Sequence, residues 1–194
     1  ILITCGEIDM ILFWLLAAVT ALVLLISYIC FRMGFYVPPR KASDSGEIPL
    51  PEGEIYEVFW DKMKFWAQET RQTPHEDVSI TSYDGLTLWG RFYEYAPGAP
   101  IELMFHGYRG SAERDLSGGV QRCFMLGRSA LIVDQRCSGK SGGHVITFGI
   151  KERFDCVRWA EYVDKRIGGD IFIGEVEADA ILRRCCQPTQ EHGK

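Results

Sequence analysis

The chain has 194 residues, 47% of them hydrophobic, and 21 Lys and Arg against 26 Asp and Glu give a net charge of -5. That mild acidity, with no cluster of basic residues, speaks against a nucleic-acid partner, which needs Lys and Arg to neutralise phosphates. Seven cysteines (Cys5, Cys30, Cys123, Cys137, Cys156, Cys185 and Cys186) form no Cys-x-x-Cys pair. They indicate neither a disulfide framework nor a zinc site, and free thiols suit a reducing compartment.

Residues 1–9 stand before Met10 and carry no reading. Residues 10–31 form an apolar run without a charged side chain, long enough as a helix to cross a hydrocarbon core of roughly 30 Å. Asp9 and Arg32 bracket the run, and Trp14 and Tyr28 lie near its ends, where aromatic rings favour the interface. A cleaved signal peptide fits less well, because no Lys or Arg precedes the run and no small-x-small site follows it. The expectation is an uncleaved, single-pass anchor with the lipid bilayer as partner through residues 10–31. Glu7 and Asp9 before the run, with Arg32, Arg40 and Lys41 after it, place the following part in the cytoplasm.

Residues 32–53 read as a linker, broken by Pro38, Pro39, Pro49 and Pro51. Glu54 to Thr70 has helical periodicity, with Ile55, Phe59, Met63 and Trp66 on one stripe. Its aromatic content would suit a membrane surface. Its polar face mixes Glu57, Asp61, Lys62 and Lys64 instead of being basic, so packing against the domain is the expected use. Thr73 and Pro74 end it. Val78 to Ser82 and Leu86 to Tyr93 alternate as a hairpin around Tyr83-Asp84-Gly85. After a turn at 96–100, Ile101 to Phe105 is an apolar strand leading into His106-Gly107-Tyr108. Ser117 to Leu126 reads as a helix capped by Gly127, Ala130 to Val133 as a buried strand, and Lys151 to Tyr162 as a helix. Gly168 and Gly169 make a turn before a strand that begins Ile171-Phe172-Ile173. Hairpin, strand, helix, strand, helix, strand predicts an α/β domain whose sheet becomes parallel under crossover helices.

Four stretches carry a family resemblance: Ser82 to Leu88 with Gly90 to Tyr93; His106-Gly107; Asp134-Gln135-Arg136-Cys137-Ser138-Gly139-Lys140-Ser141; and Glu152, Asp155, Trp159 and Tyr162. In this order and spacing the sequence resembles the α/β-hydrolase superfamily, in particular its membrane-anchored branch of serine aminopeptidases and acylglycerol lipases. The third stretch is similar to that family's D-x-R-G-x-G-x-S loop, with Cys137 in place of the usual Gly. The resemblance implies the N-terminal half of an α/β-hydrolase sheet over residues 54–173, preceded by one transmembrane helix. It implies a serine hydrolase of ester, acyl or peptide bonds, with a small-molecule or peptide substrate and no cofactor. Tyr108, with His106 and Gly107, would form the oxyanion hole, the Tyr108 N–H being one donor. Asp134, Arg136, Gly139 and Ser141 would form a structural loop.

Two motifs inside that loop are decoys. Gly139-Lys140-Ser141 resembles the end of a phosphate-binding loop, but the required earlier glycine is Asp134. Gly139 to Gly143 satisfies G-x-S-x-G without the strand-to-helix turn that would expose Ser141 as a nucleophile. The family's nucleophile should follow the strand at Ile171, yet no serine occurs after Ser141, and no catalytic residue can be assigned. The expectation is an inactive fragment whose residues 174–194 are a frameshifted or otherwise foreign tail. The alternative is a non-catalytic, membrane-tethered binding module on the same fold.

Overall fold

The computed structural model describes residues 5–38, 48, 50, 53–167 and 171–175. Most of the expected linker, the Gly168-Gly169 turn and residues 176–194 lie outside them. The chain divides into two compact units, Ile1–Pro38 and Pro39–Lys194.

The first unit is built on α1 (Cys5–Gly34). Within it Asp9–Gly34 is long and apolar enough to cross a membrane, and none of its most apolar stretch is buried. At 1.5 Å per residue the 26 residues of Asp9–Gly34 are about 39 Å long, more than a hydrocarbon core requires.

The second unit runs α2 (Glu54–Glu57), α3 (Trp60–Gln72), β1 (Glu76–Thr81), β2 (Thr87–Tyr93), β3 (Ile101–Phe105), α4 (Ala112–Met125), β4 (Ser129–Val133), α5 (Glu152–Ile167) and β5 (Ile171–Glu175). Its five strands are ordered β1-β2-β4-β3-β5. β1, β2 and β4 pair antiparallel, whereas β4, β3 and β5 are parallel. Every residue of β3 and β4 is buried, as expected of strands covered on both faces. Leu103, Phe105, Leu131 and Val133 pack with Trp159 and Val163 of α5. Met104, Ala130 and Ile132 pack with Leu116, Val120 and Cys123 of α4. The helices after β3 and β4 therefore cover opposite faces, and the two loops that lead to them part at the carboxyl edge of the sheet. Open α/β sheets bind ligands at such a switch point.

Three sequence expectations are corrected. The helix expected from Ser117 begins at Ala112: Ser111 accepts the Arg114 N–H at 3.3 Å as its N-cap, and Glu113 and Asp115 sit in the first turn. The pair Gly118-Gly119 lies inside the helix, as read, and larger residues there would collide with Trp66 and the Met104 sulfur. The single helix expected over 54–70 is interrupted at Val58-Phe59, and only the second half of its stripe packs, since Ile55 and Phe59 are exposed while Trp66 lies against Gly118. Finally, α5 continues five residues past Tyr162.

Candidate active site

β3 ends at Phe105, paired with Val133 of β4 on one side and Glu175 of β5 on the other. His106-Gly107-Tyr108 therefore lies beyond both ladders, at the carboxyl edge. A turn closes immediately after, with the Gly110 N–H donating to the Gly107 carbonyl at 3.1 Å. Arg109, third in that turn, has a φ of 54°. A non-glycine residue in the left-handed region marks a loop whose shape is imposed by its surroundings.

His106 is one source of that constraint. It is buried, and its Nε2 accepts the Gln135 backbone N–H at 3.0 Å while Nδ1 stands 2.8 Å from the Gly107 carbonyl. An acceptor at Nε2 requires the proton on Nδ1, which donates to Gly107. Burial lowers the pKa of the ring, which keeps it neutral. With both nitrogens committed, His106 is a brace rather than a proton shuttle. The Gln135 side chain completes the tie by donating to the His106 carbonyl.

The loop after β4 is fastened at three more points. Asp134 Oδ1 accepts the Ala112 N–H at 3.0 Å, placing a carboxylate at the N-terminus of α4, where the helix dipole favours it. Its Oδ2 accepts the Lys140 N–H at 3.3 Å. Ser138 Oγ donates to the Gly110 carbonyl. Arg136 is buried between two carboxylates, donating to Asp155 at 2.7 and 2.9 Å and to Asp84 at 3.1 and 3.2 Å. Hydrogen bonds from Arg136 hold the Asp84 carboxyl well below the usual carboxylate range. Burial pushes Asp155 up, against the hydrogen bonds from Arg136. Cys137 stands where the family loop carries glycine and has a φ of 65°. Burial raises the pKa of its thiol.

No protein-family model matches the sequence, and no curated protein does. Among solved structures the chain is similar to an esterase from Pyrococcus furiosus. In one crystal form the TM-score is 0.50 at 23% identity, covering 56% of this chain and 44% of that one. In another it is 0.49 at 25%, covering 56% and 42%. An alpha-beta hydrolase from Vibrio vulnificus gives 0.45 at 23%, covering 63% and 40%. The fold is the α/β-hydrolase fold. This chain spans less than half the length of the structures it matches.

In the α/β-hydrolase fold the nucleophile follows the strand that occupies the place of β5. Ser141 is elsewhere, in the loop after β4. Its Oγ donates to the Asp134 carbonyl at 2.6 Å and accepts the Trp89 N–H at 2.8 Å, joining that loop to β2. Ser141→Ala is expected to lower stability by about 1–3 kcal/mol, because the part-buried Trp89 N–H loses its partner. Fluorophosphonate labelling should be unaffected, and any labelling that Ser141→Ala abolished would return the serine to candidacy. Among the described residues no group of His, Cys, Asp and Glu could hold a metal ion.

Sequence reasoning singled out His106, Gly107, Tyr108, Asp134, Arg136, Gly139 and Ser141, and the structure gathers them into the two tied loops. It missed Gln135, Gly110 and Ser138, which do the tying. Ser138 and Gly110 interact across 28 residues of sequence, and no local pattern announces that pairing. Phe148, another residue missed, has a φ of 48° and stacks on Tyr108 with ring centroids 5.1 Å apart. Glu152 shapes this second rim by accepting the Thr147 and Gly149 N–H groups, each at 2.8 Å.

Proposed function

We propose that the second unit carries the oxyanion-hole half of a serine-hydrolase site for ester, acyl or peptide bonds, on a domain tethered to a membrane by α1 with its soluble part in the cytoplasm. The branch it resembles is that of serine aminopeptidases and acylglycerol lipases. The observation that supports this is the parallel register Phe105↔Glu175. It sets the carboxyl end of β5 level with that of β3, at the sheet edge from which the His106-Gly107-Tyr108 turn leaves. An N–H donor on the turn and a nucleophile after β5 would then flank one carbonyl, the arrangement acyl transfer requires.

In this sequence Val176, Glu177 and Ala178 follow β5 and no serine occurs after Ser141, so the chain as it stands is proposed to be inactive. Val176-Glu177-Ala178, where a Gly-x-Ser-x-Gly turn would stand, favours the second reading, a tethered binding module without chemistry. A fluorophosphonate probe should leave this chain unlabelled. It should label a chimera that continues after Glu175 with the remaining strands and Gly-x-Ser-x-Gly turn of an α/β-hydrolase. Tyr108→Pro, which deletes the candidate donor, should slow labelling of that chimera about 10²–10³-fold. Equal labelling with and without the Tyr108 N–H would rule out the oxyanion role.

A further inference from the structure

α3 docks on α4 through one face only. Trp66 covers Gly118, where a Cβ would stand 2.8 Å from the indole. Ala67 and Thr70 are buried, Thr70 Oγ1 donates to the Ser117 carbonyl at 3.1 Å, and Gln121 Nε2 donates to Thr70 Oγ1 at 2.9 Å. An ion pair between Arg71 and Glu113 closes the far end. These contacts fix the rotation of α3 about its axis.

Opposite the docked residues α3 carries exposed Asp61, Gln68 and Gln72, but the flank beside Trp66 is apolar where a solvated helix would be polar. Ile55 is 81% exposed and Val58 84%, with Phe59 at 54% and Phe65 at 58%. Val58 and Phe65 are seven positions apart, two helical turns, and so share a side. Val58 and Phe59 keep right-handed helical backbone angles across the interruption. The charged residues of this segment do not make it basic: Glu54, Glu57, Asp61 and Glu69 stand against Lys62, Lys64 and Arg71. A partner held here is therefore held by apolar and aromatic burial, not by attraction to anionic groups.

The chain itself limits what that partner is. Between Gly34, which ends α1, and Gly53, which precedes α2, roughly 18 residues span at most about 60 Å when fully extended. Any membrane that α1 crosses is thus presented to this apolar side at high effective concentration. We infer that Ile55, Val58, Phe59 and Phe65 insert into the interfacial layer of that membrane, so that α2 and the outer side of α3 form a second attachment beside the anchor. This rests on reading α1 as a transmembrane helix. The mixed charge that made packing against the domain the sequence expectation is accommodated, because α3 does both: it packs through Trp66, Ala67 and Thr70 and offers the neighbouring flank to lipid.

The test uses the full chain in phosphatidylcholine vesicles doped with a diazirine-bearing phosphatidylcholine, with photoadducts located by peptide mass spectrometry. Adducts are expected on α1 and, separately, on residues 54–66. The triple variant Ile55→Glu, Val58→Glu, Phe65→Glu should reduce the second set at least tenfold and leave the first unchanged. Replacing a third of the lipid with phosphatidylserine should change the second set less than twofold. Adducts on α1 alone would overturn the inference and leave the anchor standing. Adducts on neither would overturn both. Protection of 54–66 together with crosslinking between two copies would assign the face to self-association instead.

Discussion

Replacing Arg136 by methionine is expected to cost about 3–5 kcal/mol of stability, because removing one member of a buried ion pair leaves the other charge uncompensated. Arg136 is 4% exposed, and its guanidinium spans Asp155 on α5 and Asp84 in the hairpin turn. Loss of the guanidinium strands the Asp155 carboxylate against the core and frees the hairpin from the helix. Arg136→Lys should recover only part of the loss, since an ammonium keeps the charge but not the fork that meets both carboxylates. Urea-dependent pulse proteolysis of the full chain in detergent reads the difference. The pH dependence supplies an independent check. The folded pKa of Asp84 lies below its unfolded value of about 3.9. Its contribution is therefore complete above that value and lost as pH falls through the folded one. The variant lacks that contribution, and its Asp155, raised by burial and without the Arg136 hydrogen bonds, takes up a proton first, so the gap should begin to narrow above about pH 4 and go on narrowing below it. A gap independent of pH would mean that Arg136 acts through packing of its stem and not through its charge.

The parts of this fold that were legible in the sequence are those where one local signal decides the structure. β3 is bounded as read, Ile101 to Phe105, because an unbroken apolar run between turns has one stable use, a strand buried on both faces. Gly127, read as a helix cap, has a φ of 70° and leaves its N–H on the Phe124 carbonyl at 3.0 Å. What escaped depends on distant partners. Glycines at 118 and 119 lie inside the helix as read, but why they are glycine shows only when Trp66, 52 positions earlier, and Met104 are seen to need their space. Likewise the exposed sides of α2 and α3 cannot be told from buried ones by periodicity, because apolar residues occur on both.

The candidate site shows the same division. The residue types at 106–108 and 134–141 were evident from their spacing, but how they hold one another was not. His106 reads from sequence as part of the oxyanion-hole turn, with no partner for its ring. Only the positions of the Gln135 N–H and the Gly107 carbonyl make it a neutral brace. Ser141 satisfies a nucleophile motif by letter, yet its hydroxyl is spent on the Asp134 carbonyl and the Trp89 N–H. Motifs specify composition over five to eight residues, whereas the chemistry of these groups is set by hydrogen bonds that cross 29 and 52 positions.

Gly139→Ala is expected to be the most damaging change in the loop that leaves charge untouched. Gly139 has a φ of 49°, in the left-handed region, where a side chain costs roughly 1–2 kcal/mol. Sterics add to this, since its Cβ would stand 1.9 Å from Asp134 Oδ2 and 2.2 Å from Asp134 Cγ. The carboxylate cannot swing aside freely, because it accepts the Ala112 and Lys140 N–H groups. Moving it leaves the first N–H of α4 without a partner, at about 1–3 kcal/mol. The combined loss of roughly 2–5 kcal/mol should appear in pulse proteolysis, together with faster hydrogen exchange at the Ala112 and Lys140 amides. Since the clash is with one carboxylate, Asp134→Ser in the Gly139→Ala background should return part of that loss, a coupling that two independent defects would not show. Strict additivity of the two substitutions would mean that backbone strain alone, and not the carboxylate that joins this loop to α4, is what requires glycine at 139.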